Sequence, residues 1–120
     1  MTTAKKSLGN WGEELAVNYL LENGYSIVAR NYHTKHGELD IIAQKDDVIY
    51  FVEVKTRSTN TFGFPEEAVT SRKRSHMMMA AESFFEKHSS DFETWQFDII
   101  AILKRTGQEA EIVHLQNVIS

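Results

Sequence analysis

The stretch that decides the fold is Gly37-Glu38-Leu39-Asp40-Ile41-Ile42, followed after a short polar gap by Val48-Ile49-Tyr50-Phe51-Val52-Glu53-Val54-Lys55. Both runs are rich in β-branched and aromatic residues, and their charges recur at every second position, the period that sends alternate side chains to opposite faces of a strand. Glu53 and Lys55 therefore share a face. A two-residue turn at Asp46-Asp47 sets the register, with Gln44 facing Ile49, Ile42 facing Phe51, Asp40 facing Glu53 and Glu38 facing Lys55. Asp tolerates the left-handed backbone that such a turn demands. In this register the Cβ atoms of Asp40 and Glu53 lie about 4.5–5.5 Å apart, where two like charges destabilise the pair. A bound cation would remove that cost.

The plainer alternative is a hairpin with one wet face, on which Glu38 and Lys55 form an ordinary cross-strand ion pair. It explains less. Val52 and Val54 make one face of the second run apolar, and Ile49 and Phe51 make the other face apolar until it reaches Glu53. A strand apolar on both sides is central and buried, and charges at its end are costly unless paired or metal-bound.

The chain has 120 residues, 42% hydrophobic and 25% charged, the composition of a single soluble globular domain over residues 1–120. No apolar run reaches the length of a membrane span, and the basic start Met1 to Lys6 is followed by Gly9, Asn10, Gly12, Glu13 and Glu14 rather than a signal-peptide core. There is no cysteine, hence no disulfide and no thiolate metal site, and a cytoplasmic protein is expected. The formal net charge of −4 argues against a protein that coats nucleic acid non-specifically. It leaves room for a nuclease, whose metal-binding carboxylates count as negative until their ions arrive.

Outward from the central hairpin, residues Ser7 to Asn23 read as a helix with Leu8, Trp11, Leu15, Ala16, Tyr19 and Leu20 inward and Asn23-Gly24 as the stop. Gly9 and Gly12 weaken it. Glu13 lies at the margin of the apolar stripe, placed either to reach toward the sheet or simply to favour the helix N-terminal end. Tyr25 to Tyr32 reads as a first strand, and His33 and His36 in the loop after it, with His76 elsewhere, are explained by polarity rather than by a zinc site.

Beyond the hairpin, Gly63-Phe64-Pro65 reads as a turn into a short helical segment with Glu66 and Glu67 as capping residues. Thr70 reads as the N-cap of a long helix to about Lys87, with Met77, Ala80, Ala81, Phe84 and Phe85 inward. Its first turn carries Arg72, Lys73 and Arg74, cations at the positive end of a helix dipole, so an anion is expected nearby: Glu66 and Glu67, or a nucleic-acid phosphate. Lys73 leans toward the core side, and Arg72 and Arg74 flank it outward. Trp95 to Leu103 is a fourth strand, with Trp95, Phe97, Ile99, Ala101 and Leu103 on one side and Asp98, Ile100 and Ile102 on the other, and Glu111 to Ile119 is a fifth. The order αβββαββ makes an α+β, or mixed α/β, sheet domain.

Asp40, Glu53 and Lys55, approached by Glu13, form a hard oxygen site suited to Mg²⁺ or Mn²⁺, with one ammonium beside it to stabilise or help deprotonate an attacking water. These residues resemble the PD-(D/E)xK nuclease superfamily, with Leu39 where that name has a proline. More narrowly, Gly9-x-x-Gly12-Glu13-x-x-Ala16, Arg30-Asn31-Tyr32, Gly37 to Ile42, Phe51 to Arg57 and Phe97 to Ile102 resemble the YraN family of small, mostly uncharacterised bacterial proteins. The resemblance extends to archaeal Holliday-junction resolvases, where a helix glutamate joins the strand aspartate and the E-x-K pair. It implies a restriction-endonuclease-like core, Glu13, Asp40 and Glu53 as metal ligands, and Lys55 as the catalytic lysine beside Glu53 and Asp40. Arg57, Arg72, Lys73 and Arg74 are the residues expected to contact nucleic acid.

The leading expectation is a metal-dependent endonuclease acting on branched or otherwise structured DNA, with a homodimer expected if junctions are the substrate. The alternatives are a non-catalytic module that binds nucleic acid or a DNA-processing partner, and a protein-interaction domain that keeps these residues structurally.

Overall fold

The computed structural model describes residues 3–57, 71–88, 94–104 and 107–119. Among the described residues, two helices and five strands follow in the expected order: α1 (Thr3–Glu22), β1 (Ser26–Thr34), β2 (Gly37–Lys45), β3 (Val48–Arg57), α2 (Ser71–Lys87), β4 (Thr94–Leu103) and β5 (Glu111–Leu115). They build an α+β fold around a mixed sheet of order β1-β2-β3-β4-β5. Every neighbouring pair is antiparallel except β3 with β4. That parallel pair needs a long crossover, and the connection contains α2. The Leu8 side chain, the Gly63-Phe64-Pro65 turn, Glu66, Glu67 and the Thr70 cap lie outside the described residues.

β3 is the central strand, buried on both faces. Ile49 and Phe51 pack with Ile42, Phe97, Met77, Ala80, Ala81 and Phe84 under α2. On the opposite face, Val52 joins Ile41, Ala43, Ile100 and Ile102 under Ala16, Val17 and Leu20 of α1. The alternation read from the sequence is the alternation of these two layers.

The hairpin register holds for its closed half: Gln44 pairs with Ile49 and Ile42 with Phe51, and Asp46 takes the left-handed φ of 55°. The ladder then ends at Ile41 and Val52. Asp40 is therefore not laddered to Glu53, nor Glu38 to Lys55. Beyond the last rung, the Val54 N–H donates instead to Asp40 Oδ2 at 2.8 Å, so a side chain replaces the strand partner. Glu38 pairs backwards across β1, its carboxylate 3.4 Å from His33 Nδ1.

Two further details position the site. A Cβ at Gly12 would collide with the Thr56 side chain, so glycine is what lets α1 lie close on the end of β3. Strand β5 stops at Leu115, short of the expected Ile119, because Asn117 adopts φ 54° and turns its N–H to Asp98 Oδ1 at 2.9 Å. Ile119 still reaches the core under α2.

Candidate active site

Where β2 and β3 part, backbone groups and side chains of three elements meet. Asp40 comes from β2, and Glu53 and Lys55 from one face of β3, as their two-residue spacing requires. Lys73 comes from the first turn of α2. Lys73 Nζ lies 2.7 Å from Glu53 Oε1, and Lys55 Nζ lies 3.7 Å from the same oxygen. All three side chains are mostly shielded, 14% exposed for Glu53, 23% for Lys55 and 27% for Lys73.

The electrostatics are in conflict. Burial pushes the Asp40 carboxyl up to about 7, and the Glu53 charge adds to the shift; the Val54 N–H opposes it, Glu13 raises it further and Lys73 pulls it back. The Lys55 ammonium is lowered by burial and by the hydrogen bond it shares with Lys73, against the pull of Glu53. Burial also works against the Lys73 charge, but its hydrogen bonds to Glu53 and Lys55 outweigh that and the net shift is upward. One lysine is thus a fixed cation and the other is the easier to deprotonate.

Glu13 approaches from α1 and is held rather than loose. Asn31 Nδ2 donates to its Oε1 at 3.1 Å and an Arg30 guanidinium nitrogen lies 3.4 Å from the same atom. Arg30 is drawn mainly to Glu14, at 2.8 Å. Asn31 has a left-handed φ of 50°, and the arrangement gives the Arg30-Asn31 pair a role that the sequence reading missed. Its signal was a polar pair ending an apolar strand. Among the described residues no three Asp, Glu or His side chains are grouped closely enough to cage an ion. The compact element is the Asp40 and Glu53 pair.

The remaining cations are spread out. Arg57 is exposed at the end of β3 and donates to the Thr56 carbonyl at 3.0 Å. Arg72 and Lys73 line a pocket of about 290 Å³ that also touches Gly37, Glu38, Glu53 and His76. Arg74 is exposed and is not among the lining residues. The anion expected beside the α2 cations is, for Lys73, Glu53. No spacing rule links residues 53 and 73, and only the packing of α2 over β3 joins them.

The opposite face carries a second polar cluster. Asp98 is fully buried and accepts hydrogen bonds from Gln96 Nε2 at 2.9 Å and the Asn117 N–H at 2.9 Å, and lies 2.8 Å from His114 Nε2. The Tyr19 hydroxyl meets His114 Nδ1 at 3.0 Å. This cluster lies on the other face of the sheet from the split, the α1 side of β4, although Asp98 pairs with Val52 at the last rung of the hairpin, and its groups are mutually satisfied.

Fold and site together define an α+β domain with two carboxylates and two lysines gathered at the parting of its central hairpin. The chain belongs to the uncharacterised protein family UPF0102, whose model matches residues 12–102; this is the YraN family that the motifs resemble. Among its relatives are UPF0102 proteins from Syntrophomonas wolfei subsp. wolfei, 47% identical over 93% of this chain and 96% of the relative, and from Caldicellulosiruptor saccharolyticus, 40% identical over 92% and 94%. A third, from Syntrophotalea carbinolica, is 42% identical over 95% of this chain and 92% of the relative. The matched span runs from Gly12 to Ile102 and so contains every residue of the cluster. No helix among the described residues is long and apolar enough to cross a membrane.

Proposed function

We propose that the protein is a metal-dependent nuclease that hydrolyses phosphodiester bonds, acting on branched or structured DNA from a restriction-endonuclease-like core. The observation that carries this reading is the meeting of two half-buried carboxylates, Asp40 and Glu53, where β2 and β3 part, with Lys73 2.7 Å and Lys55 3.7 Å from Glu53 Oε1 and with burial and the Glu53 charge pushing Asp40 up to about 7. Shifts of this kind are how acid, base and metal chemistry is prepared at neutral pH.

The donor set fits a hard divalent cation such as Mg²⁺ or Mn²⁺. Such ions accept one or two protein carboxylates and complete their shell with waters and phosphate oxygens, which suits a pair rather than a closed cage. Asp40 and Glu53 would hold the ion, and Glu13 stands behind them, kept in place by Arg30 and Asn31. The cation, when bound, would polarise the phosphodiester and favour hydroxide over water. Lys55, whose ammonium is lowered chiefly by burial and whose Nζ lies 3.7 Å from Glu53 Oε1, would be the group to hold or take a proton of the attacking water. The charge on Asp40 costs least when a cation shares it, so ion binding and Asp40 deprotonation favour each other. Arg57, Arg72 and Arg74 are exposed cations available to strand phosphates. The preference for branched DNA rests on the resemblance to junction resolvases, in which a two-fold dimer would match a two-fold substrate.

Incubation with single strands, duplexes, flaps and four-way junctions tests the reading. Cleavage should require Mg²⁺ or Mn²⁺, and Asp40→Ala and Lys55→Ala should each lower it by about 10²-fold or more. Equal cleavage by the variants would assign the activity to a contaminant. Salt-sensitive binding without cleavage, indifferent to Mg²⁺, would replace the enzyme by a binding module.

A further inference from the structure

The pocket beside the carboxylates has one wall from α2, with Arg72, Lys73 and His76, and another from Gly37, Glu38 and Glu53. Glu53 and Lys73 belong both to this pocket and to the cluster at the strand split. In the described arrangement Lys73 is turned to the carboxylate, with Nζ 2.7 Å from Glu53 Oε1, and Lys55 reaches the same oxygen at 3.7 Å. Two ammonium groups therefore converge on the atom that a divalent ion would need. Like charges a few ångströms apart repel strongly where solvent is partly excluded, so an ion on Glu53 and an ammonium on its Oε1 compete. Lysine has a long flexible stem, and the cavity that its own residue lines, about 290 Å³, gives the displaced ammonium a place to go.

We propose that this pocket is a second phosphate site of the same centre, and that Lys73 serves it only after a divalent ion has taken its place on Glu53. The inference rests on the reading that Asp40 and Glu53 hold the ion. Arg72 offers a planar fork suited to phosphate oxygens, and the α2 dipole near these residues favours an anion. Glu38 and Glu53 on the facing wall work against any anion while Lys73 is bound to Glu53. Once an ion neutralises Glu53 and frees the ammonium, the same wall becomes hospitable to phosphate. Ion and phosphate therefore promote each other's binding by equal factors, as linkage requires, and the site discriminates against nucleic acid when no metal is present. The ligand class is a phosphate group of a nucleotide or nucleic-acid strand.

Titration calorimetry on the intact protein tests this with Mn²⁺ and with thymidine 5′-monophosphate, which carries a phosphate but no diester to cleave. Removing the competing ammonium in Lys73→Met should tighten Mn²⁺ binding about tenfold, whereas Lys73→Arg and Arg72→Ala should leave it near the wild-type value. Mn²⁺ should raise the affinity of the wild type for the nucleotide about tenfold, Lys73→Met should lose most of that gain, and Arg72→Ala should lower the affinity with and without Mn²⁺ alike. Lys73→Gln repeats the charge deletion with a polar side chain if the methionine variant fails to fold by circular dichroism. Unchanged or weaker Mn²⁺ binding in both deletions, with Asp40→Asn abolishing it, overturns the role of Lys73 and leaves the metal site standing. Nucleotide binding that ignores Mn²⁺ overturns the second site. No Mn²⁺ binding by the wild type overturns this proposal and the metal-dependent reading together.

Discussion

Asp98 and Asp40 are carboxylates carried by neighbouring parts of one sheet, and their surroundings are opposite in kind. Asp98, fully buried, is met by the Gln96 amide, the His114 ring and the Asn117 N–H. Asp40 has the Val54 N–H on one oxygen, at 2.8 Å, and faces the charges of Glu53 and Glu13. Donors surround the first; a like charge stands beside the second. A carboxylate that serves the fold is given partners by the fold. One whose strongest charge neighbour is another carboxylate is in electrostatic conflict, and the proposed cation would relieve it.

The largest effect that would sharpen this contrast is expected at Asp98. Asp98→Ala removes a fully buried acceptor shared by three groups and leaves a half-buried Gln96 amide and a buried, half-paired His114 imidazole, while the Asn117 N–H, on an exposed residue, can turn to water. The expected loss is about 3 kcal/mol or more, lowering the thermal midpoint by roughly 10 °C. Calorimetry or circular dichroism reads it directly. A loss under about 1 kcal/mol would mean that the network is ornamental to the fold, and the comparison would fail on its structural side.

Much of the architecture was legible because β3 announces itself: apolar on both faces, it has to be central, and period two then fixes which residues meet α1 and which meet α2. The register was legible as far as the turn controls it, from Asp46 to Ile41. The parting of β2 from β3 was not, since it depends on a side chain, Asp40, substituting for a backbone partner at Val54. Gly12 read as a weakness of the helix, and its use is a close approach to Thr56 some forty residues away. At the site, the shared face of Glu53 and Lys55 followed from spacing alone, whereas Lys73 and the Arg30-Asn31 hold on Glu13 are made by packing between elements. Asp98 had a visible signal, a charge amid Phe97, Ile99, Ile100 and Ile102, which demands partners. Gln96, two residues away on the same strand, is one partner, and the other two come from β5 and the turn after it. Reading β5 as continuous to Ile119 concealed the turn.

The next effect runs in the opposite direction. Because the folded Asp40 carboxyl titrates at about 7 rather than its ordinary 3.8, folding disfavours its ionised form. Below about pH 4 both states are protonated and nothing is lost. As pH rises toward 7 the unfolded chain has released its proton while the folded one still holds it, so stability falls across that window and stays reduced above it. Asp40→Asn keeps an acceptor for Val54 and removes the charge. It should be more stable than the wild type by about 1–2 kcal/mol near pH 8, with the gain vanishing near pH 4. Denaturant melts at several pH values measure it, and added Mn²⁺ should shrink the difference by stabilising the wild type alone. A destabilised asparagine variant at pH 8 would place Asp40 with Asp98, as a carboxylate that the fold needs.

The smallest effect tests how complete the satisfied cluster is. With His114 Nε2 at 2.8 Å from an Asp98 oxygen, the ring's N–H belongs on that side, and Nδ1 is left to accept from the Tyr19 hydroxyl at 3.0 Å. Tyr19→Phe removes that donor and leaves the edge-on ring packing, 5.5 Å between centroids, in place. A single hydrogen bond to a neutral acceptor is worth about 1 kcal/mol, so the variant should lose roughly that much in denaturant melts and leave any metal-dependent activity unaltered. An effect on cleavage with no effect on stability would join the two faces through α1, which carries both Tyr19 and Glu13. The separation between a cluster that holds the fold and a cluster that serves chemistry would then have to be given up in favour of one network running through the helix.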